Sequence, residues 1–239
     1  MKNKTLKQLE PTLTIISKGK KVKLYSESQI LPLLKGIVPI KESKSVNYIL
    51  SQTHSTFAKG ISDLRSKGKV PFTIKENIIT RLKDKSLFNS WLNSCTAIVY
   101  KANSDEFLLV PKCKLLINID ENFNQSSIIL SDEEYSKLKK EKGTIVFDRK
   151  KVKCDELLTK EEVKKHPVWL ALCENDKKLL SDYVEYYFKE FSKDKAMAFW
   201  VQNKSGKNEL RSVVLNIGNW DSSASGNCGL DDYSRFVSR

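Results

Sequence analysis

The run Asp176-Lys-Lys-Leu-Leu-Ser-Asp-Tyr-Val-Glu-Tyr-Tyr-Phe-Lys-Glu-Phe191 decides the fold class together with the two that follow it, Ala196-Met-Ala-Phe-Trp-Val-Gln202 and Leu210-Arg-Ser-Val-Val-Leu-Asn-Ile217. In the first, Leu179, Leu180, Tyr183, Val184, Tyr187, Phe188 and Phe191 recur every three or four residues, the period of a helix with one buried stripe. Tyr186 falls at the margin of that stripe. The other two are short apolar runs joined by Asn203-Lys-Ser-Gly206-Lys and read as strands. A long helix beside two successive strands, without strand–helix–strand alternation, predicts an α+β fold.

The rest of the chain extends the pattern. Thr73-Ile-Lys-Glu76, Ser131-Asp-Glu-Glu134 and Thr159-Lys-Glu-Glu162 are capping boxes that open helices. The first of these carries Ile78, Ile79 and Leu82. The second ends at Gly143, and the third breaks at His166-Pro167, where Pro167 starts a new turn. Thr96–Lys101 and Phe107–Lys112 read as strands around Ala102–Asp105, with Leu115–Ile119 as a third. Thr144–Phe147 and Lys151–Cys154 read as a hairpin. A helix is expected from Ser45 to Ser66 through Val46, Leu50, Phe57, Ile61 and Leu64, with a further helical turn from Leu87 to Leu92. Near the start, Thr12–Ser17 and Lys21–Ser26 flank Lys18-Gly19-Lys20 as a hairpin, and Ser26-Glu-Ser-Gln29 opens a short helix ending near Gly36. A last strand covers Ser234–Ser238. The expectation is helices and antiparallel hairpins in blocks.

The chain has 239 residues, 40% hydrophobic and 30% charged, enough for a sizeable core. No apolar run approaches the roughly eighteen residues that span a bilayer. The basic start, Met1 to Lys7, is followed by no apolar segment of the kind an export signal carries. The expected location is cytoplasmic. Cys95, Cys113, Cys154, Cys173 and Cys228 are scattered and never spaced as CxxC, so they read as reduced, mostly buried thiols.

The formal charge of +13 is unevenly placed. Residues 1–100 hold 18 Lys and Arg against 6 Asp and Glu, and the other 139 residues contribute only +1. Such asymmetry points to nucleic acid or another polyanion. Only six of the 42 basic residues are arginine, and lysine suits phosphates better than base edges. The nucleic-acid-binding set on this reading is Lys67, Lys69, Lys75, Arg81, Lys83 and Lys85. The order of elements across residues 45–112 is that of a winged helix. Its recognition segment, Ser86 to Ser94, carries no Lys or Arg, however, and Leu87, Phe88, Trp91 and Leu92 read as core. Charge divides the chain near residue 120 into a basic helical and hairpin region (1–120) and a near-neutral α+β region (121–239); a single domain is the alternative.

Motifs for chemistry are sparse. The chain has no GxxxxGK[ST], no GxGxxG and no GxSxG. Two histidines cannot make a histidine-rich metal site. His54-Ser-Thr56 is half of a paired HxT element, and His166-Pro-Val168 lacks the hydroxyl. Asp105, Glu106 and Lys112 have the residue types of a carboxylate–lysine nuclease site. The lysine-free loop from Gly218 to Asp232 is the other candidate: Asp221, Asp231 and Asp232 can ligate a divalent cation, or the loop can hold a small polar ligand beside Trp220. Three functions follow as expectations. The leading one is contact with nucleic-acid backbone without sequence reading. The second is an enzyme or ligand-binding protein using the C-terminal loop, and the third is a subunit of a larger complex.

Overall fold

The computed structural model describes residues 13–17, 20–24, 49–50, 55–191, 193–217, 222–233 and 235–238. The helix at Ser26, the half-motif at His54, and both Trp220 and Asp221 lie outside them. Residues 1–45 form one compact unit and residues 46–239 another. In the first, β1 (Leu13–Ser17) pairs antiparallel with β2 (Lys20–Leu24), as the pattern around Lys18-Gly19-Lys20 requires.

The larger unit is α+β. Its helices are α1 (Phe57–Ser66), α2 (Ile74–Lys83), α3 (Lys114–Ile117), α4 (Asp132–Lys140), α5 (Lys160–Lys165), α6 (Pro167–Leu172) and α7 (Lys177–Phe191). The capping boxes at Thr73, Ser131 and Thr159 all form, each hydroxyl accepting from the backbone N–H three residues on.

One sheet contains β7 (Ile128–Leu130), β11 (Asn208–Ser212), β5 (Ala97–Tyr100), β6 (Glu106–Val110) and β8 (Ile145–Asp148), in that order. The other runs β3 (Ile49–Leu50), β14 (Arg235–Ser238), β4 (Leu92–Asn93), β12 (Val214–Ile217), β13 (Ser222–Ser225), β10 (Lys195–Trp200) and β9 (Leu158–Thr159). In this sheet β14 runs parallel to β4, and β13 parallel to β10. Strands from both sides of residue 120 share each sheet.

β5 is buried on both faces. Ile98 and Tyr100 join a core with Trp169 of α6, Tyr183 and Tyr187 of α7, and Phe199 of β10. Ala97 and Val99 join a second core under α1, α3 and α4, with Phe57, Leu116, Leu138 and Phe236. A strand covered on both sides reads as a continuous apolar run, which is why its sequence does not alternate.

Leu210–Ile217, which reads as one strand, is two. β11 ends in the five-stranded sheet at Ser212, and β12 starts in the seven-stranded sheet at Val214. The segment alongside makes the same change between β4 and β5. Buried side chains lock the two crossings together. Ser94 Oγ donates to Val213 O (2.6 Å), Ser212 Oγ donates to Ser94 O (2.9 Å), and Val213 N–H donates to Thr96 O (2.8 Å). Short hydroxyl side chains satisfy backbone groups that lose ladder partners when a strand leaves its sheet.

Other expectations need correction. Ser45–Ser66 is not one helix: Ile49–Leu50 is strand β3, and α1 begins at Phe57 behind Thr56. Leu115–Ile119 is not a strand; Leu116 and Ile119, three apart, are the buried positions around α3, while Leu115 is exposed. Lys151–Cys154 does not pair with β8. Asp148 Oδ1 accepts the Lys150 N–H (3.0 Å) and turns the chain into a single 3-10 turn, Arg149–Lys151. Leu87–Leu92 divides into a 3-10 turn at Lys85–Asn89 and strand β4. No helix among the described residues is long and apolar enough to cross a membrane.

His166 does structural work at the start of α6. Its Nε2 lies 2.7 Å from the Lys153 carbonyl, which can only accept, so Nδ1 is the unprotonated nitrogen and takes the Trp169 N–H. Burial, the largest influence, holds the imidazole below its usual value of 6.5 despite the Lys153 carbonyl and the nearby Glu156 and Glu162. The folded state therefore prefers neutral histidine. Its stabilisation is complete above about pH 6.5 and is lost as pH falls from there through the lowered folded value. The urea midpoint of the wild type is expected to fall between pH 7.5 and 5 more steeply than that of His166→Asn, whose amide caps without titrating. Parallel curves for the two proteins would remove this role.

Candidate functional site

Arg81 is not a surface residue, so the basic set loses its arginine. It lies on the buried side of α2 at 0% exposure, one turn after the buried Asn77. Its guanidinium donates to Ser90 O (2.6 Å), Leu215 O (3.0 Å) and Tyr183 Oη (3.1 Å), tying α2 to the end of the 3-10 turn before β4, to β12 and to α7. These partners are all neutral. Lys75 pairs with Glu174 (3.2 Å), and the Lys85 ammonium sits 4.8 Å above the Tyr186 ring. Lys67 and Lys83 are exposed and Lys69 is half-buried. Lys67 and Lys69 precede α2 while Lys83 and Lys85 stand at its far end, about 15 Å away along a ten-residue helix. Of this set, Lys75 is engaged in an ion pair and Lys85 on a ring, and the rest flank α2 at its two ends in the chain.

The C-terminal loop is largely a connection. Ser222–Ser225 is strand β13, inserted between β12 and β10. The chain then crosses to β14, pinned at three points. Gly226 N–H donates to Trp200 O (2.8 Å), and a side chain at Gly226 would meet Ile98 and the Tyr100 hydroxyl at 2.9 Å. Arg211 donates to Asn227 O (3.1 Å). Leu230, 2% exposed, donates to Ser126 O and accepts from Phe57 N–H. Behind this crossing lies an ion pair, Arg211 to Glu209 at 3.2 Å, with Ser205 Oγ donating to the other Glu209 oxygen at 2.5 Å. Burial works to raise the Glu209 carboxyl, but Ser205, Arg211 and Gln202 outweigh it and hold the group below the usual carboxylate range.

Asp231 and Asp232 are exposed on the crossing. Asp232 accepts the Gly229 N–H (2.7 Å) and closes the turn, and the Asp231 carboxylate packs on Gly229. Among the described residues no three His, Cys, Asp or Glu side chains are grouped to hold a metal ion. The nuclease-like trio is also separated. Asp105 pairs with Lys150 and Lys204, Glu106 pairs with Lys139 and Tyr135, and Lys112 lies exposed beyond the other end of β6.

A different surface emerges at one end of the seven-stranded sheet. Trp91, expected in the core, is 44% exposed, and Tyr233 is 69% exposed. Parallel strands β4 and β14 start side by side, Arg235 opposite Leu92. The Arg235 N–H donates to Trp91 O (3.1 Å), so the residue just before β4 and the tail of the crossing meet there. Arg235 itself is half-buried, and Asp231 and Asp232 stand exposed on the same short segment.

No protein-family model matches the chain, and no curated protein matches it in sequence. It does resemble a solved structure from work on the accommodation of massive sequence variation in Nanoarchaeota by the C-type lectin fold. The TM-score is 0.59 at 16% identity, covering 79% of this chain and 99% of that one. At that identity the likeness is one of fold.

Proposed function

We propose that this protein is a recognition module that binds a protein partner through the rim of Trp91, Tyr233 and Arg235. The observation that carries this reading is the exposure of two large aromatic side chains, 44% and 69%, on segments joined by the Arg235–Trp91 hydrogen bond. Tryptophan, tyrosine and arginine dominate binding energy where proteins meet. The fold of the neighbour adds support. A fold described as accommodating massive sequence variation is compatible with a surface adapted to recognition. The groups with chemical potential, His166, Arg81, Glu209 and Arg211, are engaged in holding the structure together.

A second reading, contact with nucleic-acid backbone, rests on charge. Residues 1–45 hold ten lysines and three acidic residues, more than half the excess of the whole chain in a unit of its own. One affinity experiment separates the two. The wild type and Trp91→Ala/Tyr233→Ala are immobilised, exposed to source-cell extract with and without nuclease, and any retained protein is purified and titrated. The first reading predicts a partner that survives nuclease and binds the double variant at least about 30-fold more weakly, a hot-spot effect of about 2 kcal/mol. Equal binding to both proteins overturns it. Material lost to nuclease or salt but kept by the variant supports the second reading.

A further inference from the structure

The five-stranded sheet ends in two unlike edges. Among the described residues, β7 and β8 each have a partner strand on one side only. Each also presents an aliphatic side chain to solvent, Ile129 at 51% exposure and Val146 at 42%. Their backbone groups face outward as well. The bond from Val213 N–H to Thr96 O continues the β11–β5 register, so alternation turns Asn208 and Leu210 toward Leu130 and Ile128 of β7. Ile129, between those two, directs its N–H and C=O out of the edge. At the other edge the bond from Arg149 N–H to Asp105 O continues the β6–β8 register and leaves Val146 and Asp148 facing outward. The surrounding charge is opposite at the two edges. Residues 115–136, which contain β7, hold five carboxylates and no Lys or Arg. Residues 137–153, which contain β8, hold eight Lys and Arg against Glu141 and Asp148. The helix dipole favours acids at the start of α4 and lysines at its end. It does not account for Asp120 and Glu121 before β7, or for Arg149, Lys150 and Lys151 after β8.

We propose that copies of this chain join head to tail, β7 of one adding parallel to β8 of the next. Four successive antiparallel pairings make β7 and β8 run in the same direction, so a copy added in the same orientation pairs parallel. One register uses the outward groups: Ile129 stands opposite Phe147, its N–H donating to Val146 O and its C=O accepting from Asp148 N–H. The faces then agree. Ile128 and Leu130 pack in the core under α4, and Phe147 packs against the core that holds Trp169 and Tyr183. By strand alternation, Ile129 shares the face of Phe147 and Val146 the face of Ile128, so each exposed aliphatic gains an apolar neighbour. In the same register the carboxylates at 132–134 after β7 fall beside the cations at 149–151 after β8. The two joined surfaces differ, so no twofold axis closes the contact, and a row of copies keeps a free edge at each end. A joint of three or four residues per strand is small, which makes the association weak, and its charge makes it salt-dependent.

The test is sedimentation velocity of the full chain over a concentration series reaching about 500 μM, at low salt and at about 0.5 M salt. At low salt the average mass should rise with concentration past that of a dimer, and at high salt it should return to the monomer. Ile129→Lys and Val146→Lys change exposed side chains, so both should keep the wild-type melting temperature. Each should sediment as a monomer, since lysine on an edge strand blocks pairing. Mixed, the two should form one-to-one dimers and nothing larger, because only the β8 of the first and the β7 of the second remain intact. Lys151→Glu, exposed and outside the strand, should weaken the association without touching the edge itself. Trp91→Ala/Tyr233→Ala should associate as the wild type does, which separates this joint from the rim proposed above. A wild type that stays monomeric throughout overturns the proposal, as does a closed dimer, association of either lysine variant alone, or a mixture that remains monomeric. Loss of association in Trp91→Ala/Tyr233→Ala would overturn it too, by moving the contact to the rim.

Discussion

Arg81→Ala is expected to destabilise the protein by about 3–5 kcal/mol, the cost of buried acceptors left without a donor together with the cavity of a fully buried large side chain. The guanidinium joins α2 to strand β12, to α7 and to the turn before β4; its bonds to Leu215 and Tyr183 are buried and that to Ser90 is part-buried. Truncation leaves the Ser90 and Leu215 carbonyls without that donor, at roughly 1–3 kcal/mol per unsatisfied group, and opens a cavity besides. Arg81→Lys keeps the charge but not the planar fork that reaches three acceptors, and should fall in between. Arg81→Met restores bulk and removes the buried charge, so it should lose less than Ala. Urea midpoints for the three variants check this order. An Arg81→Ala protein within about 1 kcal/mol of the wild type would mean that the guanidinium is dispensable to the fold.

Phe236→Ala should have a comparable effect, roughly 3–5 kcal/mol. The ring is 0% exposed and meets Phe57 edge-on at 5.2 Å. It also lies directly against Gly60 of α1, where a β-carbon would collide with its edge. Glycine inside a helix lowers its stability, and here the close approach of strand β14 accounts for it. Gly60→Ala alone should cost about 1–3 kcal/mol through overpacking. Combined with Phe236→Ala, the added methyl enters space the ring has left, so the double variant should be more stable than the sum of the two losses implies. Thermal unfolding of the four proteins gives the coupling. Simple additivity would show that the two residues do not share that space.

What could be read from the sequence follows from how local each signal is. Thr73, Ser131 and Thr159 announced helix starts because a capping box needs only four consecutive residues. The stripe from Leu179 to Phe188 announced α7 for the same reason. The crossing at Ser212–Val213 left almost no trace, since both sheets accept the same apolar composition. On α2 the buried residues are Ile74, Asn77, Ile78, Thr80 and Arg81; of the expected Ile78, Ile79 and Leu82, Ile78 is fully buried and Leu82 packs partly against the core. A polar and a charged residue spaced like core positions concealed the rest of the buried side. The exposure of Trp91 was hidden by its neighbours Leu87, Phe88 and Leu92, which are all buried. The charge asymmetry could be counted, but its concentration in a separate unit of residues 1–45 needed the contact pattern. The C-terminal loop was singled out for its composition, although much of that composition serves β13 and the crossing behind it.

The seam at Ser94 and Ser212 also orders events in time. By the time residue 212 has been synthesised, every strand of the five-stranded sheet exists. The seven-stranded sheet must wait for β12, β13 and β14, and β14 fills an interior place between β3 and β4. During elongation the nascent chain can therefore close one sheet while the other still has a gap in its middle. Leu92 and Val237, which pack together in the finished protein, remain apart until the last strand arrives. Over that interval the sides of β3 and β4 that β14 will cover are open to the wrong strand, so the wait for β14 is a period of exposure to misassembly.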